Sequence, residues 1–277
     1  MREMKKYVIS LAILATLLTS CASEFNRVYK TTDNDYKYEF AKECFARGKF
    51  TQAITLLQEL VTIQKGTDNA QECLYMLAMA EYCDRDYESA SETFKKYYQT
   101  YPKGIYAEQA AFYIGQSLYQ STPEPRLDQT ATVNAISAYQ DFLDFFPESQ
   151  LKAKASSRMF ELTDKLVLKE YLSAKLYYNL GDYFGNCTNG GSNFEACIVT
   201  SENALKTYPF TTMREQFAVL IMKSKYELAR QSVEEKKVDR YRDAEDECYG
   251  FINEYPESVE RKTAERYIKK CKEITKD

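Results

Sequence analysis

YESASETFKKYYQTYP, residues Tyr87–Pro102, decides the fold, because its pattern returns along the chain. Twelve residues before Pro102, Pro147, Pro209 and Pro256 stand Ala90, Ala135, Cys197 and Ala244, all small. Eight before stand Phe94, Tyr139, Ser201 and Cys248, and five before stand Tyr97, Phe142, Ala204 and Phe251. An earlier copy without the proline keeps Ala53, Leu57 and Leu60. Positions 0, 4 and 7 of this pattern share one face of an α-helix. A small side chain there lets a partner helix approach, and the larger ones fill the remaining space. The residue before a proline avoids α geometry, so each Tyr-Pro or Phe-Pro pair ends its helix. Self-similarity of this kind marks a helical solenoid.

Composition agrees with an all-α fold. Only 9 Gly and 6 Pro interrupt 277 residues, too few for the turns of a sandwich or barrel. With 44% apolar residues the chain can bury a continuous core along the stack. It has no His, which removes the commonest general base and metal ligand. Charges of both signs are interspersed at a net −4, with no basic run for nucleic acid. No phosphate-binding loop, dinucleotide fingerprint, GxSxG or CxxC occurs, so neither an enzyme nor a cofactor is expected.

The order of elements follows. Arg2, Lys5 and Lys6 precede the apolar run Tyr7–Leu18, the form of an export signal over residues 1–20. Leu18-Thr19-Ser20-Cys21 resembles the bacterial lipobox, in which the cysteine is acylated after cleavage before it. Ala22 follows, with no Asp to suggest retention in the inner membrane, so an outer-membrane anchor facing the periplasm is expected. Residues 21–33 then read as a lipidated tether. Residues 34–147 hold repeats one to three, with helices expected at Asn34–Arg47, Thr51–Gln64, Asn69–Asp84, Tyr87–Thr100, Ile105–Gln120 and Thr130–Phe145. Pro123 and Pro125 make Ser121–Gln129 a loop. Residues 148–277 hold a long linking helix over Ser149–Tyr183, then repeats four and five. Repeat four carries a Gly-rich insertion, Gly185–Asn193, before a helix at Phe194–Tyr208. Repeat five pairs Thr211–Ser232 with Arg240–Tyr255, and charged Glu257–Ile274 caps the open end.

The spacings resemble the tetratricopeptide repeat, and imply a helical-hairpin solenoid of about five repeats. A second regularity runs through the first helices. Tyr38, Tyr75 and Phe112 are 37 apart, as are Phe45, Tyr82 and Tyr119. In tetratricopeptide proteins the first helices line the concave surface, so these six residues are candidates for a peptide groove. The alternative is packing between repeats, the usual role of an aromatic stripe at helical spacing. Phe40-Ala41, Leu77-Ala78 and Ile114-Gly115 keep the same interval on another face and suffice as core.

Seven cysteines remain beside Cys21. Cys187–Cys197 is placed to close the Gly-rich insertion and Cys248–Cys271 to join neighbouring helices. Buried free thiols are the alternative.

Lipobox and repeats together resemble the BamD family, lipoproteins of the outer-membrane β-barrel assembly machine. Matching stretches are Tyr36–Lys42 YKYEFAK, Lys65-Gly66-Thr67, Leu127–Thr130 LDQT with Ala135-Ile136, Ala174–Tyr183 AKLYYNLGDY and Arg240–Pro256 RYRDAEDECYGFINEYP. The insertion at Gly185–Asn193 departs from the family's pattern. The resemblance implies a scaffold whose C-terminal repeats bind POTRA domains of the barrel insertase BamA. Its N-terminal repeats would receive targeting segments of unfolded β-barrel proteins. The aromatic ladder falls in those repeats, and Tyr178, Tyr183 and Arg214 are candidates for the BamA-facing surface. Another periplasmic repeat scaffold, for envelope or cell-wall synthesis, or a glycan-binding lipoprotein, would share the repeat features. The absence of Trp disfavours the latter.

Overall fold

The computed structural model describes residues 24–183 and 192–275. Cys21, Cys187 and nearly all of the Gly-rich insertion lie outside them. Among the described residues every regular element is a helix: α1 (24–29), α2 (Asn34–Ala46), α3 (Phe50–Ile63), α4 (Ala70–Cys83), α5 (Tyr87–Thr100), α6 (Ala107–Gln120), α7 (Thr130–Phe145), α8 (Lys152–Leu180), α9 (Asn193–Thr207), α10 (Arg214–Arg230), α11 (Glu234–Glu254) and α12 (Arg261–Thr275). Consecutive helices from α2 to α7, and from α9 to α12, pack on one another as hairpins, giving the tetratricopeptide-like solenoid.

The repeat register is visible in burial. Ala53, Leu57 and Leu60, and the corresponding trios of α5, α7, α9 and α11, are all at most 3% exposed. Tyr101, Tyr208 and Tyr255 end their helices in nearly the same conformation, with φ of −129°, −121° and −127°. In each case the following proline forbids the α region. The hairpin turns have their own device. After α2, Gly48 takes φ 72°, Lys49 N–H donates to the Cys44 carbonyl at 2.8 Å, and Gly48 N–H donates to Phe45 at 3.0 Å. This is a Schellman cap. Arg85 repeats it after α4 at φ 68°, without a glycine.

Two compact units divide the chain, residues 1–123 with 130–159, and residues 124–129 with 160–277. Helix α8 passes from the first to the second. In unit 1, Leu56, Leu57 and Leu60 centre one cluster and Phe94 and Tyr97 another. Unit 2 centres on Phe217 with Val167 and Ala174, and on Tyr226, Cys248, Phe251 and Tyr267.

Most helix ends fall within four residues of expectation, and two larger differences have physical reasons. Helix α11 begins at Glu234, six residues before Arg240. Its apolar period starts only at Tyr241, but Val233 is extended and Glu234 and Glu235 favour the positive helix end. The expected tether contains α1, whose Val28 is wholly buried against the first leucine cluster.

One buried carboxylate works against unit 1. Glu81 of α4 is 4% exposed, and its Oε2 has no hydrogen-bond partner. Burial raises its pKa above 4.5, Asp86 adds to this, and Thr93 and Lys96 oppose it. A raised folded value means stability is lost as pH rises from about 4.5 through that value. Glu81→Gln should remove this slope and stabilise the protein by about 1 kcal/mol at pH 7. Urea unfolding at pH 5 and pH 8 checks it: the wild type gains at pH 5 relative to the variant.

Candidate functional site: an aromatic-rimmed groove in unit 1

Structure separates the six ladder residues. Tyr38 and Phe112 are 2% and 1% exposed, so they are core positions and line no groove. Phe112 packs against Tyr139 and Phe142 of α7 at 5.8 and 5.5 Å between ring centroids. Tyr75 is half-buried, stacked on Tyr106 at 4.3 Å and edge-on to Phe94 and Tyr97 at 5.8 Å. Burial pushes its hydroxyl well above the ordinary tyrosine range, helped by Tyr113, Tyr106 and Tyr97. Tyr82 meets Tyr87 and Tyr113 edge-on, and Phe45 meets Phe50. Tyr119 is covered by Arg158, whose guanidinium lies 4.4 Å from the ring centroid and donates to the hydroxyl at 2.9 Å. The ladder is therefore chiefly a seam between repeats. A first helix in this fold touches both its own partner and the preceding repeat, so two of its faces are buried.

A groove of unit 1 lies on another face. It encloses about 540 Å³ between α5, α6 and α7. Ala111, Ile114 and Leu118 of α6 contribute its apolar lining, with Tyr98 of α5 and Phe145 of α7. Phe145 is 65% exposed, and its ring lies 6.2 Å from that of Tyr98. Gln99, Asn134 and Ser137 add hydrogen-bonding groups, and Lys95, Glu92 and Asp141 add charges of both signs. Such a groove offers apolar contact to a short segment, with amides and hydroxyls for its backbone. Sequence reading missed it, though a signal existed. Tyr97-Tyr98 and Phe145-Phe146 are doubled aromatics on or at the end of a helix, and neighbours 100° apart cannot both face the core. Tyr97 is fully buried and Phe146 stacks on Phe142, which turns Tyr98 and Phe145 outward.

In unit 2 the three nominated residues differ in role. Tyr178 is half-buried edge-on to Phe194 at 5.8 Å, and burial raises its hydroxyl pKa. Tyr183 is 61% exposed. Arg214 donates to the Pro209 carbonyl at 3.1 Å and pairs with Glu254 at 3.5 Å, so it braces the turn that begins repeat five. Phe210, on the same turn, is 97% exposed.

Cys197, Cys248 and Cys271 are free thiols, all buried, so the pairing of Cys248 with Cys271 is replaced by side-by-side packing in one core cluster. Burial pushes Cys248 up to about 12 and Cys271 up to about 11, which holds both as unreactive thiols. Among the described residues, no group of three or more His, Cys, Asp or Glu is placed to hold a metal ion, and no helix is long and apolar enough to cross a membrane.

Comparison with known proteins agrees with the repeats. The chain is 22% identical over 177 residues to the outer membrane protein assembly factor BamD of Caulobacter vibrioides, covering 62% of this chain and 58% of that protein. It is 26% identical over 136 residues to a putative outer membrane protein assembly factor BamD of Aquifex aeolicus, covering 49% of this chain and 43% of that one. The matched region thus spans about half the length of these curated relatives. Residues 30–227 match YfiO, described as outer membrane lipoprotein, from α2 through most of α10. That match covers well over half of the chain and reaches into both units, and the chain belongs to the YfiO family of outer membrane lipoproteins.

Proposed function

We propose that this protein is a lipid-anchored periplasmic scaffold of outer-membrane β-barrel assembly. Cys21 carries the anchor at the outer membrane. Unit 1 receives apolar targeting segments of unfolded barrel proteins, and the surface of repeats four and five around Tyr183 and Arg214 docks POTRA domains of BamA. The observation that carries the receiving role is the groove of α5, α6 and α7, with exposed Phe145 beside Tyr98. It replaces the buried Tyr38 and Phe112 as the place for such a segment. An aromatic pair at a groove rim gives contact area at low entropic cost.

The test is calorimetric titration of the protein with a synthetic peptide from the C-terminal strand of an outer-membrane barrel. Tyr98→Ala with Phe145→Ala should weaken binding at least about tenfold, the loss of roughly 1.4 kcal/mol. Unchanged affinity in the folded double variant would sink the groove assignment. Capture from detergent-solubilised envelope separately tests the partner, a large barrel protein with POTRA domains. Its absence from the captured material would favour a different periplasmic scaffold.

A further inference from the structure

The segment expected to be a loose tether is docked. Val28 of α1 is 0% exposed and Phe25 packs partly on the same cluster as Leu56, Leu57 and Leu60. The turn onward is closed as well. Thr31 N–H donates to the Val28 carbonyl at 3.1 Å, Asp33 N–H to Thr31 Oγ1 at 3.3 Å, and Asp33 Oδ1 accepts from Tyr36 N–H at 3.0 Å to cap α2. Helix α1 therefore moves with unit 1.

Length makes this consequential. Cys21 precedes Glu24, the first residue of α1, by three residues, a reach of at most about 11 Å. A free tether to Asn34 would reach about 45 Å. Helix α1 is about 9 Å long. With acyl chains on Cys21, every residue of α1 is held within about 20 Å of the anchored cysteine, beside a headgroup layer some 5–8 Å thick.

We propose that the outward face of α1 lies against the phospholipid headgroups of the leaflet that holds the anchor, with Tyr29 at the interface. This rests on the anchoring of Cys21 proposed above. At 100° per residue, Asn26 and Lys30 lie opposite Val28, with Arg27 beside them. All three are exposed. Tyr29 borders that face at 47% exposed, its ring stacked on Phe25 at 6.1 Å. Arg27 and the adjoining Lys30 suit lipid phosphates, and Glu24 is the sole acidic residue of the helix. A tyrosine with an apolar ring and polar tip prefers this boundary. Six residues are far too few to bind a bilayer alone, so the contact acts by orienting a unit that the acyl chains already hold.

The chain has no tryptophan, so Tyr29→Trp introduces a single reporter. The full-length lipidated variant is reconstituted into phosphatidylcholine–phosphatidylglycerol vesicles with brominated acyl chains. Trp fluorescence should fall at least about twofold relative to unbrominated vesicles, as expected of an interfacial indole. A Val133→Trp reporter on the exposed side of α7 should remain unquenched. If the protein floats with the vesicles but Trp at position 29 is unquenched, the proposal is overturned and the anchor stands. Equal quenching at both positions also overturns it, since α1 then has no special place. Failure to float, with no acyl mass on Cys21, removes the anchor reading and this proposal with it.

Discussion

Tyr75→Ala is expected to destabilise unit 1 by about 3–5 kcal/mol, the range for deleting a large aromatic from a packed site. Tyr75 joins its own helix to two neighbouring parts of the fold. Its ring stacks on Tyr106, ahead of α6, and meets Phe94 and Tyr97 of α5 from its own position in α4. Phe94 and Tyr97 are fully buried, so the space left by Tyr75 cannot be refilled by a rotamer change of theirs without opening the second core cluster. A loss of that size lowers the melting temperature by roughly 10 °C in a domain of this length. Thermal unfolding followed by circular dichroism reads it directly. The same variant separates a seam from a binding surface. At a temperature where it remains folded, a seam residue leaves peptide affinity unchanged, whereas a groove residue such as Phe145 alters affinity with little change in melting.

Gly115→Ala should cost about 1–3 kcal/mol, although alanine is the better helix former. A Cβ at position 115 would come within 2.8 Å of the Tyr139 ring. Tyr139 is fully buried, and its hydroxyl donates to Gln116 Oε1 at 2.9 Å, so the ring is held from both ends. Helices α6 and α7 must separate or the hydrogen bond must break. Gly250 of α11 is the internal control. Nothing lies within 4 Å of a Cβ there, so Gly250→Ala should stabilise by about 0.5–1 kcal/mol. Chemical unfolding of the two variants should give shifts of opposite sign. A neutral Gly115→Ala would show that the α6–α7 contact is looser than its geometry.

The two predictions share a cause that also governs what could be read in the chain. Gly115 belongs to the apolar-small pairs and Tyr75 to the ladder, both found by counting at a 37-residue interval. Counting locates equivalent positions in successive repeats. It cannot say whether a given face meets solvent, because that depends on which neighbour covers it. Phe112 and Tyr119 share one face of α6, yet Phe112 is in the core and Tyr119 lies beneath Arg158 of α8.

What the amino-acid order determined by itself was local and periodic. It set the all-α class, the helices of each hairpin, the aromatic-proline stops and the small residue that opens the core face of every second helix. Each of these follows from φ/ψ restriction or from a 3.6-residue period acting within about fifteen residues. Tertiary structure alone decided the rest. Burial of Val28 turned an expected tether into α1, because an isolated valine gives no period to read and needs the leucines of α3 to bury it. The outward turn of Tyr98 and Phe145, the sealing of Tyr38 and Phe112, and the free state of Cys248 beside Cys271 likewise depend on contacts between helices distant in sequence. Exposure belongs to a pair of surfaces, and the sequence of either one carries only half of it.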